Sequence, residues 1–258
     1  MKVRLDKLLV DRGLAASPER AQALILAGRV LVREQKIDKS GSQIEADAAI
    51  RLLGDESRYM SRGGLKLEKA IVHWKIELAG RACADVGAST GGFTDCMLQH
   101  GAAQVLAIDT GYGQIDLRLR EDPRVRLLER TNARYLTTGD LLGAGQGRII
   151  SFLAMDVSFI SATLVLPAVV EAIRGNNRLA GMPGIALEAV VLVKPQFEAG
   201  RESIGEGGIV RDPEVRRAAV NKVSDTVRQL GGRSIEVTDS SILGAEGNKE
   251  FLLYCKFE

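Results

Sequence analysis

The stretch Ala82-Cys83-Ala84-Asp85-Val86-Gly87-Ala88-Ser89-Thr90-Gly91-Gly92-Phe93 limits the fold more than any other part of the chain. Its start is apolar, broken only by Asp85, and it passes through Asp-x-Gly into a turn of small residues. Residues 94–100 continue as a helix. Strand, glycine-rich turn and helix in that order open a doubly wound sheet, whose ligand lies beyond the carboxyl ends of the strands. The alternation then repeats. Apolar strands are expected at 105–108 before Asp109, at 125–128, at 149–155 before Asp156 and at 189–193 before Lys194. From residue 64 onward this predicts an α/β fold with a mainly parallel sheet.

Residues 1–55 read differently. Leu5, Leu8, Leu9 and Val10 mark a first helix closed by Gly13. Ser17-Pro18-Glu19 then starts a second, with Ser as cap, Pro at the first helical position and Glu favoured by the helix dipole. Val30 and Val32 predict a strand, and Ile37, Ile44 and Ile50 further short ones. Arg4, Lys7, Arg12, Arg20, Arg29, Arg33 and Lys36 fall around the helices and the turn that follows. The polar run 54–63 joins the two parts. The expected boundaries are a first domain at 1–55, a linker at 56–63 and a second domain at 64–258.

Composition excludes several classes. Lys and Arg total 35 against 33 Asp and Glu, so bulk charge names no partner. The three cysteines, Cys83, Cys96 and Cys255, follow no metal spacing, and with two histidines a zinc site is not expected. They read as free thiols of a reducing cytosol. No window approaches the roughly 18 apolar residues of a membrane span, and no signal peptide is recognisable, so a soluble cytoplasmic protein is expected.

The glycine turn lacks the G-x-G-x-x-G order of a dinucleotide site and the Gly-Lys-Ser/Thr of a P-loop. Asp85-x-Gly87-x-x-x-Gly91-Gly92 instead looks like the motif that holds S-adenosylmethionine, with Asp85 or neighbouring backbone at the amino acid end of the cofactor. Gly87, Ser89, Thr90, Gly91, Gly92 and Phe93 belong to the same expected cradle. Asp109, at the tip of the next strand, is placed to accept both ribose hydroxyls, and Asn132 to meet the adenine side.

Taken together, the chain resembles the hemolysin A (TlyA) family of ribosomal RNA 2′-O-methyltransferases, related to the FtsJ-like methyltransferases. The carriers are Ser61-Arg62-Gly63-Gly64-Leu65-Lys66-Leu67, Gly87 to Thr94, Asp109-x-Gly111-Tyr112-Gly113-Gln114, Glu129-Arg130-Thr131-Asn132-Ala133-Arg134, Asp156-Val157-Ser158-Phe159-Ile160-Ser161, Val193-Lys194-Pro195-Gln196-Phe197-Glu198 and Gly247-Asn248-x-Glu250-Phe251. The first 55 residues resemble the RNA-binding domain of ribosomal protein S4. They depart from it at Pro18, where that family has Arg, and at Arg33-Glu34-Gln35, where it has an Asn-Gly-like turn. The resemblance implies a Rossmann-like methyltransferase domain behind a small α+β S4-like domain, S-adenosylmethionine as cofactor, and cytidine in ribosomal RNA as target.

It also implies a Lys-Asp-Lys-Glu tetrad, here Lys66, Asp156, Lys194 and Glu250. A ribose 2′-hydroxyl is a poor nucleophile, so the enzyme must align it and remove its proton. Lysine serves as base only when its ammonium is destabilised by burial or a second cation. Lys194 is assigned as base and Lys66 as its electrostatic partner, an assignment open to exchange, and no metal is required. Arg4, Lys7, Arg20, Arg29 and Arg62 are the expected RNA contacts, with Arg134 and Arg201 as further phosphate ligands. Residues 197–210, rich in glycine, are expected to be a loop closing over RNA. A membrane-active hemolysin and a non-catalytic RNA- or ribosome-binding protein are the competing classes. A monomer is the expected state.

Overall fold

A computed structural model describes residues 2–15, 17–53, 58–145, 147–244 and 246–258, leaving out the side chain of Arg201. Residues 56 and 57 of the expected linker, and the Arg201 side chain, therefore lie outside what is described. The chain forms two compact units, Met1–Arg58 and Tyr59–Glu258.

In the first unit β1 (Lys2–Arg4) leads directly into α1 (Leu5–Asp11), and α2 (Pro18–Leu26) packs against it. Ser17 caps α2, its Oγ accepting the Arg20 amide at 3.2 Å, as the Ser-Pro-Glu signal requires. Then come β2 (Val30–Val32), β3 (Gln35–Lys36), β4 (Gln43–Glu45) and β5 (Ile50–Leu52). β1 pairs with β4, and β2 lies between β3 and β5, all antiparallel. Leu5, Leu9, Ala21, Leu24, Ile25, Val30 and Val32 make the core.

The Arg33-Glu34 departure leaves the turn geometry intact. Val32 pairs with Gln35, so Arg33 and Glu34 are the whole loop, and both lie in the left-handed region at φ 50° and 63°. A two-residue hairpin turn of this kind matches strand twist, and Asn-Gly adopts it with least strain. Here the Arg51 guanidinium grips the Glu34 carboxylate with two hydrogen bonds, 3.1 and 2.5 Å, and ties the turn to β5. Replacing Arg33-Glu34 with Asn-Gly relieves two unfavourable φ angles. Amide exchange across the β2–β3 pair is expected to slow several-fold. Unchanged or faster exchange there would mean that the Arg51 clamp outweighs the strain.

In the second unit α3 (Gly63–Trp74) precedes β6 (Ala82–Val86), α4 (Gly92–Gln99), β7 (Gln104–Ile108), α5 (Leu117–Arg120) and β8 (Val125–Leu128). Next are α6 (Thr138–Gly145), β9 (Ile150–Met155), α7 (Ala162–Leu179), β10 (Leu187–Val193), α8 (Pro195–Glu198), α9 (Pro213–Gln229), β11 (Gly232–Asp239) and β12 (Phe251–Phe257). The sheet order is β11-β12-β10-β9-β6-β7-β8. β12 runs antiparallel to both its neighbours and the rest are parallel. β6, β7, β9 and β10 are buried almost throughout, the edge strand β8 is mostly half-buried, and apolar clusters cover both faces of the sheet.

The order reverses between β6 and β9, which places a switch point beside Gly87. Val86 lies level with Ile108 on one side and Met155 on the other. Gly87, Asp109 and Asp156 therefore leave the sheet at one edge. Val193 lies opposite Phe251, so Lys194 and Glu250 share that edge although β12 runs the other way.

The glycine-rich segment after Lys194 is anchored at its far end. It contains α8 and two 3-10 turns, Arg201–Ser203 and Glu206–Gly208. Asn248, 1% exposed, accepts the Val210 amide and donates to the Gly208 carbonyl, both at 2.9 Å. Val210 is fully buried. All three cysteines are buried thiols.

Candidate active site

Two glycine contacts set Lys66 in place. A Cβ at Gly92 would lie 2.2 Å from Ser61 Oγ and 3.0 Å from the Gly64 nitrogen, and one at Gly64 would strike the Tyr59 ring. The start of α3 thus lies directly on the start of α4, and Lys66, one turn in, is buried. Its Nζ meets Glu250 Oε2 at 2.5 Å. On the neighbouring strands Lys194 Nζ lies 2.5 Å from Asp156 Oδ1 and donates to Ser158 Oγ at 2.8 Å. Both lysines are only 8% exposed, and each is paired, as buried charges must be.

Two cavities meet here. One, of about 380 Å³, is lined by Lys66, Lys194, Glu250, Arg62, Thr90, Gly92, Phe93 and Phe197 among others. The other, of about 400 Å³, is lined by Ile108, Asp109, Gln114, Asn132, Val157 and their neighbours. Gly87, Ser89, Asp156, Ser158 and Phe159 line both. Each volume suits a small-molecule site.

Asp109 accepts the Ser89 amide at 2.8 Å and the Gly111 amide at 2.7 Å, which fixes its carboxylate at the cavity wall. Ser89 holds a φ of 49°. Gly87, at φ 87°, has no room for a side chain: a Cβ would stand 2.2 Å from the Asp156 carbonyl oxygen. The Asn132 side chain accepts the Arg134 amide at 3.1 Å.

Two expected residues are placed elsewhere. Asp85 is fully buried and lines neither cavity; Thr94 donates to its Oδ2 at 2.6 Å while Oδ1 has no hydrogen-bond partner among the described residues. Burial in an apolar strand, with Asp156 and Asp109 nearby, pushes its carboxyl up to about 7 despite the Thr94 bond. Gly91 lines neither cavity and packs against Leu119 and Ile115.

Of the expected RNA contacts, Arg4, Lys7, Arg20 and Arg62 are exposed. Arg4 is already bidentate to Asp6, which that guanidinium holds down to about 2. Arg29 is half-buried and donates to the Leu53 carbonyl, so part of its hydrogen-bonding capacity is structural.

Sequence reasoning gave no role to Ser158, Phe159 or Phe197. Phe159 is 92% exposed and holds φ 63°, a left-handed conformation unfavourable for an aromatic residue, where both cavities open. Its ring centroid lies 5.3 Å from that of Phe197, and Lys194 Nζ is 5.8 Å from the latter. The signal available was an aromatic residue three positions after a strand-end Asp, which periodicity cannot separate from core. Arg130 lies 4.2 Å over the exposed Tyr112 ring, and Arg134 lies 5.6 Å from that of Tyr135.

A doubly wound sheet with a final antiparallel strand, two joined cavities at its switch point and a Lys-Asp-Lys-Glu set defines a methyltransferase. Residues 59–257 match the FtsJ-like methyltransferase family and residues 3–50 the S4 domain. The chain belongs to the FtsJ-like methyltransferase family, in its branch with the hemolysin A and TlyA proteins. YqxC of Bacillus subtilis, described as an rRNA methyltransferase, is 44% identical over 98% of this chain and 85% of its own. The 16S/23S rRNA (cytidine-2′-O)-methyltransferase TlyA of Mycobacterium tuberculosis is 41% identical over 99% of this chain and 90% of its own. A solved structure from Streptococcus thermophilus described as a hemolysin has TM-score 0.72 and 39% identity. It covers 99% of this chain and 88% of its own.

Proposed function

We propose that this chain transfers a methyl group from S-adenosylmethionine to the ribose 2′-oxygen of a cytidine in ribosomal RNA. The observation that carries the reading is the junction of the two cavities at Asp156, with both lysine–carboxylate pairs on one side and Asp109 on the other. The residues present fit the cofactor. The cavity of Asp109 and Asn132 offers a fixed carboxylate for a ribose diol and a polar edge for adenine. Bound there, S-adenosylmethionine supplies an electrophilic methyl group on a sulfonium.

The second cavity takes the acceptor nucleotide. Lys194 accepts the 2′-hydroxyl proton, and Asp156 and Ser158 fix the direction of its amine. Lys194 suits the role better than Lys66 because its partner Asp156 lines both cavities, whereas Glu250, the partner of Lys66, lines only the acceptor one. Lys66 and Glu250 wall the acceptor cavity and orient the hydroxyl. Phe159 and Phe197 present aromatic faces on which a base stacks, a contact that tolerates any base. The S4 domain and the exposed Arg4, Lys7, Arg20 and Arg62 contact the RNA backbone. Among the described residues no helix is long and apolar enough to cross a membrane; a cytoplasmic enzyme acting on ribosomal subunits fits this.

The test is transfer of labelled methyl from S-adenosylmethionine to separated small and large subunits and to naked rRNA, followed by nucleoside analysis. Label in 2′-O-methylcytidine is the expected product. Label in a base-methylated nucleoside, or none on any substrate, would overturn the reading.

A further inference from the structure

The parallel ladder between β9 and β10 ends at Met155 and Val191. Beyond it, Asp156, Ser158 and Phe159 lie on one loop, and Lys194 and Phe197 on the other. The sheet no longer dictates how these two loops face each other, yet the Lys194 amine must hold both Asp156 and Ser158 across the gap. Glu198 bridges it. This carboxylate is 7% exposed at the end of α8, four residues after Lys194. Its Oε1 accepts the Ala162 amide at 2.6 Å, and its Oε2 accepts the Ser161 hydroxyl, at the start of α7 and directly after the Asp156–Ile160 loop. Lys222 of α9 backs it from the other side, 3.6 Å from Oε2 and donating to the Glu198 carbonyl at 2.9 Å.

A carboxylate at a helix N-terminus meets unpaired amides and the positive end of the dipole. Ser161 alone caps α7 through the Thr163 amide, so Glu198 is not needed for the helix to start. What Glu198 adds is a link between chain segments 36 and 37 residues apart.

We propose that Glu198 is a positioning residue for methyl transfer. It locks the Lys194 loop to the Asp156 loop, so that the base is aimed where the two cavities join. The proposal rests on the reading of Lys194 as the base. Glu198 touches neither cavity, so it acts through geometry alone.

The molecule contains its own control. The Lys66 and Lys194 side chains are both 10% exposed and both ion-paired, but only Lys194 lies on the loops that Glu198 joins. The experiment is pulse acetylation of the full chain with acetic anhydride, read by mass spectrometry at each lysine, for wild type, Glu198→Ala and Glu198→Gln. Methyl-transfer kinetics are run beside it. In Glu198→Ala, acetylation of Lys194 is expected to rise on the order of tenfold with Lys66 unchanged. In the same variant kcat should fall on the order of tenfold or more, with KM for cofactor and RNA held within about twofold. Glu198→Gln keeps an acceptor for Ala162 and a hydrogen-bonding group for Ser161, and should restore both readouts. Equal exposure of Lys66 and Lys194 in Glu198→Ala would mean general loosening and would overturn the proposal, as would an unchanged Lys194. A wild type that methylates nothing would defeat the proposed function, whereas the acetylation contrast would still decide the role of Glu198.

Discussion

Lys194→Met removes methyl transfer and spares cofactor binding: kcat is expected to fall by about 10²–10⁴-fold, the usual contribution of a placed general base. The affinity for S-adenosylmethionine should barely change, because Lys194 lines the acceptor cavity and not the cofactor cavity. Methionine fills the stem volume, so the loss isolates the amine. Asp156 is left without its cation, and although its side chain is 20% exposed, the Oδ1 that faced the amine is buried, so some loss of stability is expected beside the loss of rate. Arginine at 194 keeps the charge and the pair but does not give up a proton at working pH, and should be as inactive as methionine. That distinction separates a base from a purely electrostatic group. The measurements are single-turnover transfer to the preferred subunit and calorimetric titration of the cofactor. Activity surviving in Lys194→Met but lost in Lys66→Met would exchange the roles of the two lysines.

Much of this site was legible because a buried strand announces its end. Gln104–Ile108, Ile150–Met155 and Leu187–Val193 are largely apolar runs, each followed at once by a charged residue, and Ala82–Val86 is followed by Gly87 and a turn of small residues. In a parallel sheet those ends share one edge, which is why Gly87, Asp109, Asp156 and Lys194 converge. Glu250 was reachable only through family resemblance. It stands 184 residues from Lys66 and precedes an antiparallel strand, and no local pattern reveals that reversal. Ser158, Glu198 and Asn248 stayed hidden for a related reason. Each bonds across loops, and a polar residue in a loop looks the same whether it faces water or a partner. In residues 197–210 four glycines give no sign that the Asn248 side chain and the buried Val210 anchor the far end of the segment. Pattern also misplaced Asp85. It marks the motif correctly, yet its side chain points under the turn toward Thr94, not into a cavity.

That buried carboxylate is expected to make the methyltransferase unit lose stability as pH rises. The Asp85 carboxyl is pushed up to about 7 in the folded chain, from an ordinary 3.8. The folded state therefore holds this proton more tightly than the unfolded state does. Its stabilising contribution is complete below about 3.8, declines from there toward neutrality, and is lost once the pH passes about 7. Above that the fold carries a fully buried charge whose Oδ1 has no hydrogen-bond partner among the described residues. Asp85→Asn copies the shape of the protonated acid, keeps an acceptor for the Thr94 hydroxyl and cannot ionise. At pH 5 it should melt close to wild type. At pH 8 it should be more stable by on the order of 2 kcal/mol, below the ~4 kcal/mol that the full gap would represent, because the amide NH₂ finds no acceptor where Oδ1 had none. Urea unfolding at the two pH values measures this directly. A variant less stable than wild type at pH 8 would mean that Asp85 is ionised in the fold and held by a cation or water close to Oδ1. Its carboxylate would then be a working charge beneath the cofactor turn rather than a tolerated cost.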